Sequence, residues 1–224
     1  MGVAAVADVI RVLIVDDDAL VRAGLSMMLA GSDDIRVVAE ASDGAQVPSA
    51  VDAYAPDVVL MDIRMPGMDG LAATEELRRR GSAPQIIVLT TFDADDHVLR
   101  ALRAGAAGFL LKDTPPPEIL RAIRLVAAGE AMLSPAVTRR LIEHVADDGL
   151  GARRSRASEL LDRLTDRERE VAVAIGQGKS NAEIAAELYM SVATVKAHVS
   201  RLLQKLELDN RVQIALLAHD AGLA

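Results

Sequence analysis

The sequence predicts a doubly wound α/β domain built on a five-stranded parallel sheet, followed by a small all-α domain. Three observations carry this expectation. Short, unalternating runs of branched aliphatic residues recur along the first part of the chain, as strands buried on both faces require. Amphipathic stretches of helical period separate them, giving βα units of about 20–25 residues. Beyond residue 156 only helical patterns follow. The 224 residues suffice for two modest domains. Half the chain is hydrophobic but only 2% is aromatic, so both cores must be aliphatic.

The elements follow in order. Val12-Leu13-Ile14-Val15 is the first strand and Ala19–Ala30 the first helix. Ile35–Ala39 pairs with Val47–Tyr54, Val58–Met61 with Leu71–Arg80, Ile86–Leu89 with Asp95–Ala104, and Gly108–Leu111 with Pro116–Ala128. Gly31-Ser32, Gly81-Ser82-Ala83-Pro84 and Gly105 punctuate the turns. A further helical pattern, Pro135–Ala146, leads into the polar, Gly-bearing stretch Asp147–Arg156, the best linker in the chain. Two capping boxes then open helices, Thr165 with Glu168 and Ser180 with Glu183, while Ser191 and Asn210 cap two more. The expected division is a first domain over 9–130, a connecting helix and linker over 131–160, and a helical domain over 161–224.

Composition removes several classes of function. Without Cys there is no disulfide framework, no thiolate metal site and no Cys nucleophile. No run approaches the roughly 18 apolar residues of a membrane span. The start Met1–Ile10 lacks a basic run and carries Asp8, so it reads poorly as a secretory signal. Val6 stands where a myristoylation pattern needs Ser or Thr. The expected location is the cytoplasm, with no membrane partner. Net charge is −8, against indiscriminate binding of nucleic acid. Yet Ser191–Leu206 carries Lys196, Arg201 and Lys205 and no acid, a local stripe able to steer a polyanion.

The chemistry gathers at strand ends. Asp16-Asp17-Asp18 follow the first strand, Asp62 follows the third, Thr90 ends the fourth and Lys112 follows the fifth. In an open parallel sheet, sites form outside the carboxyl ends of the strands at the switch point. A 2-1-3-4-5 strand order places Asp16, Asp17 and Asp62 in one pocket. Three carboxylates so close repel by several kcal/mol at an effective dielectric near ~20, so one is neutral or a cation sits among them. Hard oxygen ligands of this kind suit Mg²⁺. The set fits phosphoryl transfer, with Asp62 as a carboxylate nucleophile, Mg²⁺ and Lys112 neutralising the phosphoryl oxygens, and Thr90 bonding the phosphate formed.

VLIVDDD, PDVVLMDIRMPGMDG, VLTTFD and AGAAGFLLKD, over about residues 10–130, resemble the receiver domains of two-component response regulators, which share the flavodoxin-like fold. The resemblance implies that Asp62 is the phospho-acceptor, that Asp16 and Asp17 hold Mg²⁺ with the Arg64 backbone carbonyl as a further ligand, and that Thr90 and Phe109 form a switch pair, with Lys112 in the family's Lys position. Asp113 stands where many receivers have Pro, and Asp18 where relatives often have His.

In the C-terminal part, Val195, Val199, Leu202 and Leu206 recur at helical spacing as one apolar stripe. Ala193, Ala197, Ser200, Arg201 and Gln204 fall on the opposite face, with Lys196 along one margin and His198 and Lys205 along the other. Small and polar residues outward with cations at the margins suit a DNA major groove. The preceding helix Asn181–Leu188 and the connection Tyr189-Met190-Ser191 have helix-turn-helix spacing.

LTDREREVAVAIGQGKSNAEIAAELYMSVATVKAHVSRLLQKLELDNRVQIALLAH resembles the LuxR-type DNA-binding domain, and the whole chain looks like the NarL/FixJ group of response regulators. The resemblance implies DNA contacts from Lys196, Ala197 and Ser200 toward bases, within a set that also holds Lys179, Ser191, Thr194, His198, Arg201 and Lys205. Ser200 departs from the Lys of some relatives. A sensor histidine kinase, a double-stranded operator, a second copy of the chain and RNA polymerase are the implied partners, and the last helix, Arg211–Ala218, is the implied dimer contact on DNA. As chemistry, only self-phosphorylation from a phosphodonor and self-dephosphorylation are expected.

Two other readings fit less well. A phosphatase built on an Asp nucleophile wants a second Asp two positions on, where Arg64 stands. A flavodoxin-like cofactor binder wants a Ser/Thr-rich phosphate loop, where Asp16-Asp17-Asp18 repel phosphate. Gly178-Lys179-Ser180 imitates the end of a P-loop but lacks its first Gly and its strand. The four His are scattered without metal spacing.

Overall fold

A run that is aliphatic at every position leaves a strand no face for water, so it is stable only inside a parallel sheet covered on both sides. The computed structural model of the chain has this arrangement. It describes residues 9–80, 84–90, 100–102, 104–133 and 157–223, in two compact units, residues 1–128 and 129–224.

In the first unit, β1 (Ile10–Val15), β2 (Ile35–Ala41), β3 (Val58–Asp62), β4 (Gln85–Thr90) and β5 (Gly108–Leu111) pair in parallel in the order β2-β1-β3-β4-β5. This is the expected order. All five residues of β3 are buried, whereas β2 at the edge is mostly half-exposed and carries Arg36 and Glu40 outward. The helices are α1 (Ala19–Leu29), α2 (Val47–Tyr54), α3 (Gly70–Arg79) and α4 (Pro116–Ala127). Ile119, Ala122, Ile123 and Val126 form the buried stripe of α4, and Pro116 at its start forfeits no helical bond. The 3₁₀ turn Gly44–Gln46, capped by Asp43, carries no apolar period and was not expected from the pattern. Of the helical pattern Asp95–Ala104, residues 100–102 are helical. Most of that pattern, the pattern Pro135–Ala146 and the linker Asp147–Arg156 lie outside the described residues.

The second unit opens with the two-residue strand β6 (Met132–Leu133). Residues 157–161 are helical and bring Ala157 and Leu161 into an aliphatic core. There they meet α5 (Asp166–Gly176), α6 (Asn181–Glu187), α7 (Val192–Leu206) and α8 (Arg211–Asp220). Both capping boxes form with their two reciprocal bonds, and Ser191 and Asn210 cap α7 and α8. These side chains satisfy amides that have no partner within their helices. Among the described residues no helix is long and apolar enough to cross a membrane.

Candidate functional site

Strand register assembles the acidic site. Val15 and Met61 are partners across β1 and β3, so Asp16 and Asp62 stand side by side one step further on. Asp16, Asp17 and Asp62 each offer a carboxylate oxygen, and the three lie within 4.8 Å of one another. Asp16 is 1% and Asp62 4% exposed, while Asp17 faces solvent. Lys112 arrives from beyond β5, where its N–H donates to the Thr90 carbonyl at 2.8 Å. Its side chain passes the end of β4 to place Nζ 2.9 Å from Asp62 Oδ2 and 2.7 Å from Asp16 Oδ2.

The electrostatics follow from burial. Desolvation pushes the Asp62 carboxyl above its ordinary range, against the lowering contact with Lys112 and a bond from the Arg64 N–H. Burial by itself lowers the Lys112 ammonium, but its contacts with Asp16 and Asp62 prevail and raise it. Asp16 Oδ1 accepts the Asp18 N–H at 3.0 Å. Its Oδ2 has the ion-pair contact with Lys112 but no aligned hydrogen bond, and is buried. Three carboxylates against one ammonium leave two negative charges uncompensated around an under-bonded buried oxygen. That donor set fits a hard divalent cation such as Mg²⁺.

The other expected residues lie close by. Leu89 is the partner of Asp62 across β3 and β4, so Thr90 sits one residue past it, 1% exposed. Phe109 is buried in β5 opposite Val88. Asp18 caps α1 by accepting the Leu20 N–H at 2.8 Å, so one of the three consecutive acids is structural. No cis peptide occurs among the described residues, in keeping with Asp113 after Lys112. Gly70 opens α3 directly against the acceptor strand. A Cβ there would come within 2.0 Å of the Asp62 carbonyl oxygen, which only Gly avoids. The sequence reading missed Arg22, whose guanidinium donates to the Asp16 and Asp17 carbonyl oxygens. Its only sequence signal is a cation one turn into the helix that follows the acidic pair.

On α7, the stripe Val195, Val199, Leu202 and Leu206 is buried, and Ala193, Lys196, Ala197, Ser200, Arg201 and Gln204 are exposed, as expected. Lys196 and Arg201 have no ion pair among the described residues. Lys205 and Lys179 do: Lys205 Nζ lies 2.7 Å from Glu168 Oε2 and Lys179 Nζ 2.5 Å from Glu187 Oε2. Ser191 accepts the Thr194 N–H while its hydroxyl meets that of Thr194. Ser200 Oγ donates back to the Lys196 carbonyl. His198 is half-buried, its Nδ1 without a partner. Tyr189, in the turn between α6 and α7, takes a left-handed φ of 54° and is 97% exposed. Ser180 is the α6 cap, which disposes of the P-loop imitation.

Residues 12–124 match the response regulator receiver domain, and residues 162–218 match the luxR family of bacterial regulatory proteins. The transcriptional regulatory protein LiaR of Bacillus subtilis is 41% identical over 94% of this chain and 97% of its own. The nitrate/nitrite response regulator protein NarL of Escherichia coli K12 is 37% identical over 93% and 94%. Among solved structures, the response regulator ChrA of a heme-sensing two-component system is 38% identical and aligns over 96% of this chain and 99% of its own, with a TM-score of 0.53. The receiver domain of NarL from Mycobacterium tuberculosis is 39% identical over 55% of this chain and 99% of its own, with the same TM-score of 0.53. With both domains matched in this order and such similarity along nearly the whole length, the chain belongs to the response regulators of the NarL/FixJ group, a receiver domain joined to a LuxR-type DNA-binding domain.

Proposed function

We propose that the chain is a phosphorylation-switched transcription regulator in which Asp62 accepts a phosphoryl group and α7 reads an operator. The observation that carries this is the convergence of Asp16, Asp17, Asp62 and Lys112 Nζ at the strand ends, in one chain with an outward-facing recognition helix. An Asp62 oxygen forms the new O–P bond while the N–P bond of a phosphohistidine on a sensor kinase breaks, its electron pair returning to the imidazole. Lys112 Nζ, already at Asp62, holds charge on the transferred oxygens. Asp16, Asp17, Asp62 and the Arg64 carbonyl are the groups that would hold Mg²⁺, which when bound supplies charge neutralisation for the phosphoryl group. Thr90 then bonds the phosphate, and Phe109 answers by repacking. No external substrate is turned over. The phosphatase alternative lacks its acid/base at Arg64.

On the DNA side, Lys196, Ala197 and Ser200 face bases and Arg201 reaches phosphate, with Ser191, Thr194 and His198 near the duplex. Lys179 and Lys205 join only by leaving their carboxylate partners. A second copy of the chain on a two-half-site operator and RNA polymerase complete the expected assembly, in the cytoplasm. The test is intact mass of the full chain incubated with Mg²⁺ and acetyl phosphate. One phosphoryl group, labile to hydroxylamine and absent from Asp62→Asn, is expected. Stoichiometric labelling of Asp62→Asn would sink the assignment.

A further inference from the structure

Arg22 lies one turn into α1, and its guanidinium folds back onto the backbone that carries the acidic pair. Nη1 donates to the Asp16 carbonyl oxygen at 2.7 Å and to the Asp17 carbonyl oxygen at 3.3 Å. These carbonyls belong to the two peptide planes that flank the Asp17 Cα. Because peptide units are planar, fixing two consecutive planes fixes φ and ψ of the residue between them, and so the direction of its Cβ. Little else orients the Asp17 carboxylate, which is exposed and has no hydrogen-bonding partner among the described residues.

The guanidinium is itself held from the sheet. Its Nε lies 3.4 Å from Glu40 Oε2, and Ser26, one further turn along α1, donates to Glu40 Oε1 at 2.7 Å. Glu40 is the register partner of Ile14, two residues before Asp16, so this anchor stands on rigid strand beside the acidic loop. We infer that Arg22 is a positioning residue for the acidic site, clamping the Asp16 and Asp17 carbonyls against Glu40 and Ser26 so that the Asp17 carboxylate converges on Asp16 and Asp62. This rests on the reading of those three carboxylates as a Mg²⁺ site. The clamp needs the planar fork of Arg, which addresses the carbonyls from one edge and the carboxylate from another. A Lys ammonium reaches one or the other.

The measurement is an amide NMR titration of the full chain with MgCl₂, followed at residues 16–18 and 62–64, beside thermal unfolding in EDTA. Loss of an outer-shell group that orients a ligand typically weakens metal affinity by about 10–100-fold, and Arg22→Ala is expected in that range. Arg22→Lys and Glu40→Gln should move the Kd the same way by less. A residue with a merely structural role lowers the metal-free melting temperature and leaves the Mg²⁺ Kd alone. A parental Kd in Arg22→Ala overturns the inference. If that variant does not fold, parental values in both Arg22→Lys and Glu40→Gln overturn it. Failure of the underlying site reads differently: the parent shows no Mg²⁺ response, or Asp17→Asn responds as the parent does, and the inference falls with it.

Discussion

At the scale of single residues, distances of a few ångströms separate side chains of the same type into different roles. Lys196 and Lys205 lie on one helix, but Lys205 is held by Glu168 and Lys196 is not. Lys196→Ala is therefore expected to weaken operator binding with little effect on folding. If it contacts phosphate, the salt slope of binding should fall by about one unit, and if it contacts a base, one site position should lose about 1–3 kcal/mol. Lys205→Ala should do the reverse, costing about 0.5–1 kcal/mol of stability, the scale of a partly exposed pair, with operator affinity nearly unchanged. Binding isotherms across salt and denaturant melts on both variants check this, and interchangeable behaviour would refute the distinction. Gly70 gives a second contrast. In an exposed helix, Gly→Ala gains about 0.5–1 kcal/mol, but here the new methyl meets the Asp62 carbonyl at 2.0 Å. Gly70→Ala should lower the melting temperature and slow phosphorylation, because the backbone of the acceptor itself must move. A stabilised, normally labelled variant would show that α3 yields without disturbing Asp62.

Whole elements carry the same lesson, since what lies close in sequence was legible and what meets across the fold was not. The strands showed as aliphatic runs, and four helix starts showed as Thr165, Ser180, Ser191 and Asn210, because an N-cap bonds amides only two or three residues away. The acidic site was legible for a related reason: strand order carries Asp16, Asp62, Thr90 and Lys112 to a common edge. The Arg22 clamp and the Lys205–Glu168 pair were not legible, because each joins groups whose meeting depends on packing angles and rotamers. Glu168 shows both kinds of bond at once. It completes the capping box of α5 with Thr165 and pairs with Lys205 of α7. The Lys205 ammonium, then the Thr165 amide, pull its carboxyl down from 4.5 to about 2. A carboxyl lowered by folding adds stability that is fully present above pH 4.5 and is lost as pH falls toward 2. Melting temperature against pH should therefore fall through that window in the parent and fall less in Glu168→Gln. Thr165→Ala should cost about 0.5–2 kcal/mol at neutral pH. Parallel pH profiles for parent and Glu168→Gln would remove Glu168 from the acid response.

For the whole molecule, the expectation is that phosphorylation and DNA binding are coupled. A modification shifts a two-state equilibrium only through contacts that differ between the states, and here those contacts come from Thr90 and Lys112 to the new phosphate. Full phosphorylation should raise dimer mass and operator affinity together, while Thr90→Ala, labelled equally, should show neither. Light scattering and DNA titration on one sample make the measurement, and operator affinity indifferent to full phosphorylation would overturn the switch while leaving the fold untouched. The aliphatic character of both cores also has an optical consequence. With no Trp and two Tyr in the chain, near-ultraviolet emission comes from Tyr54 in the first unit and Tyr189 in the second. Tyr189 stands almost wholly in solvent, immediately ahead of the recognition helix. The molecule thus carries a native fluorophore at the place where an operator would dock, and a single Trp introduced elsewhere would report on its own surroundings against a nearly dark background.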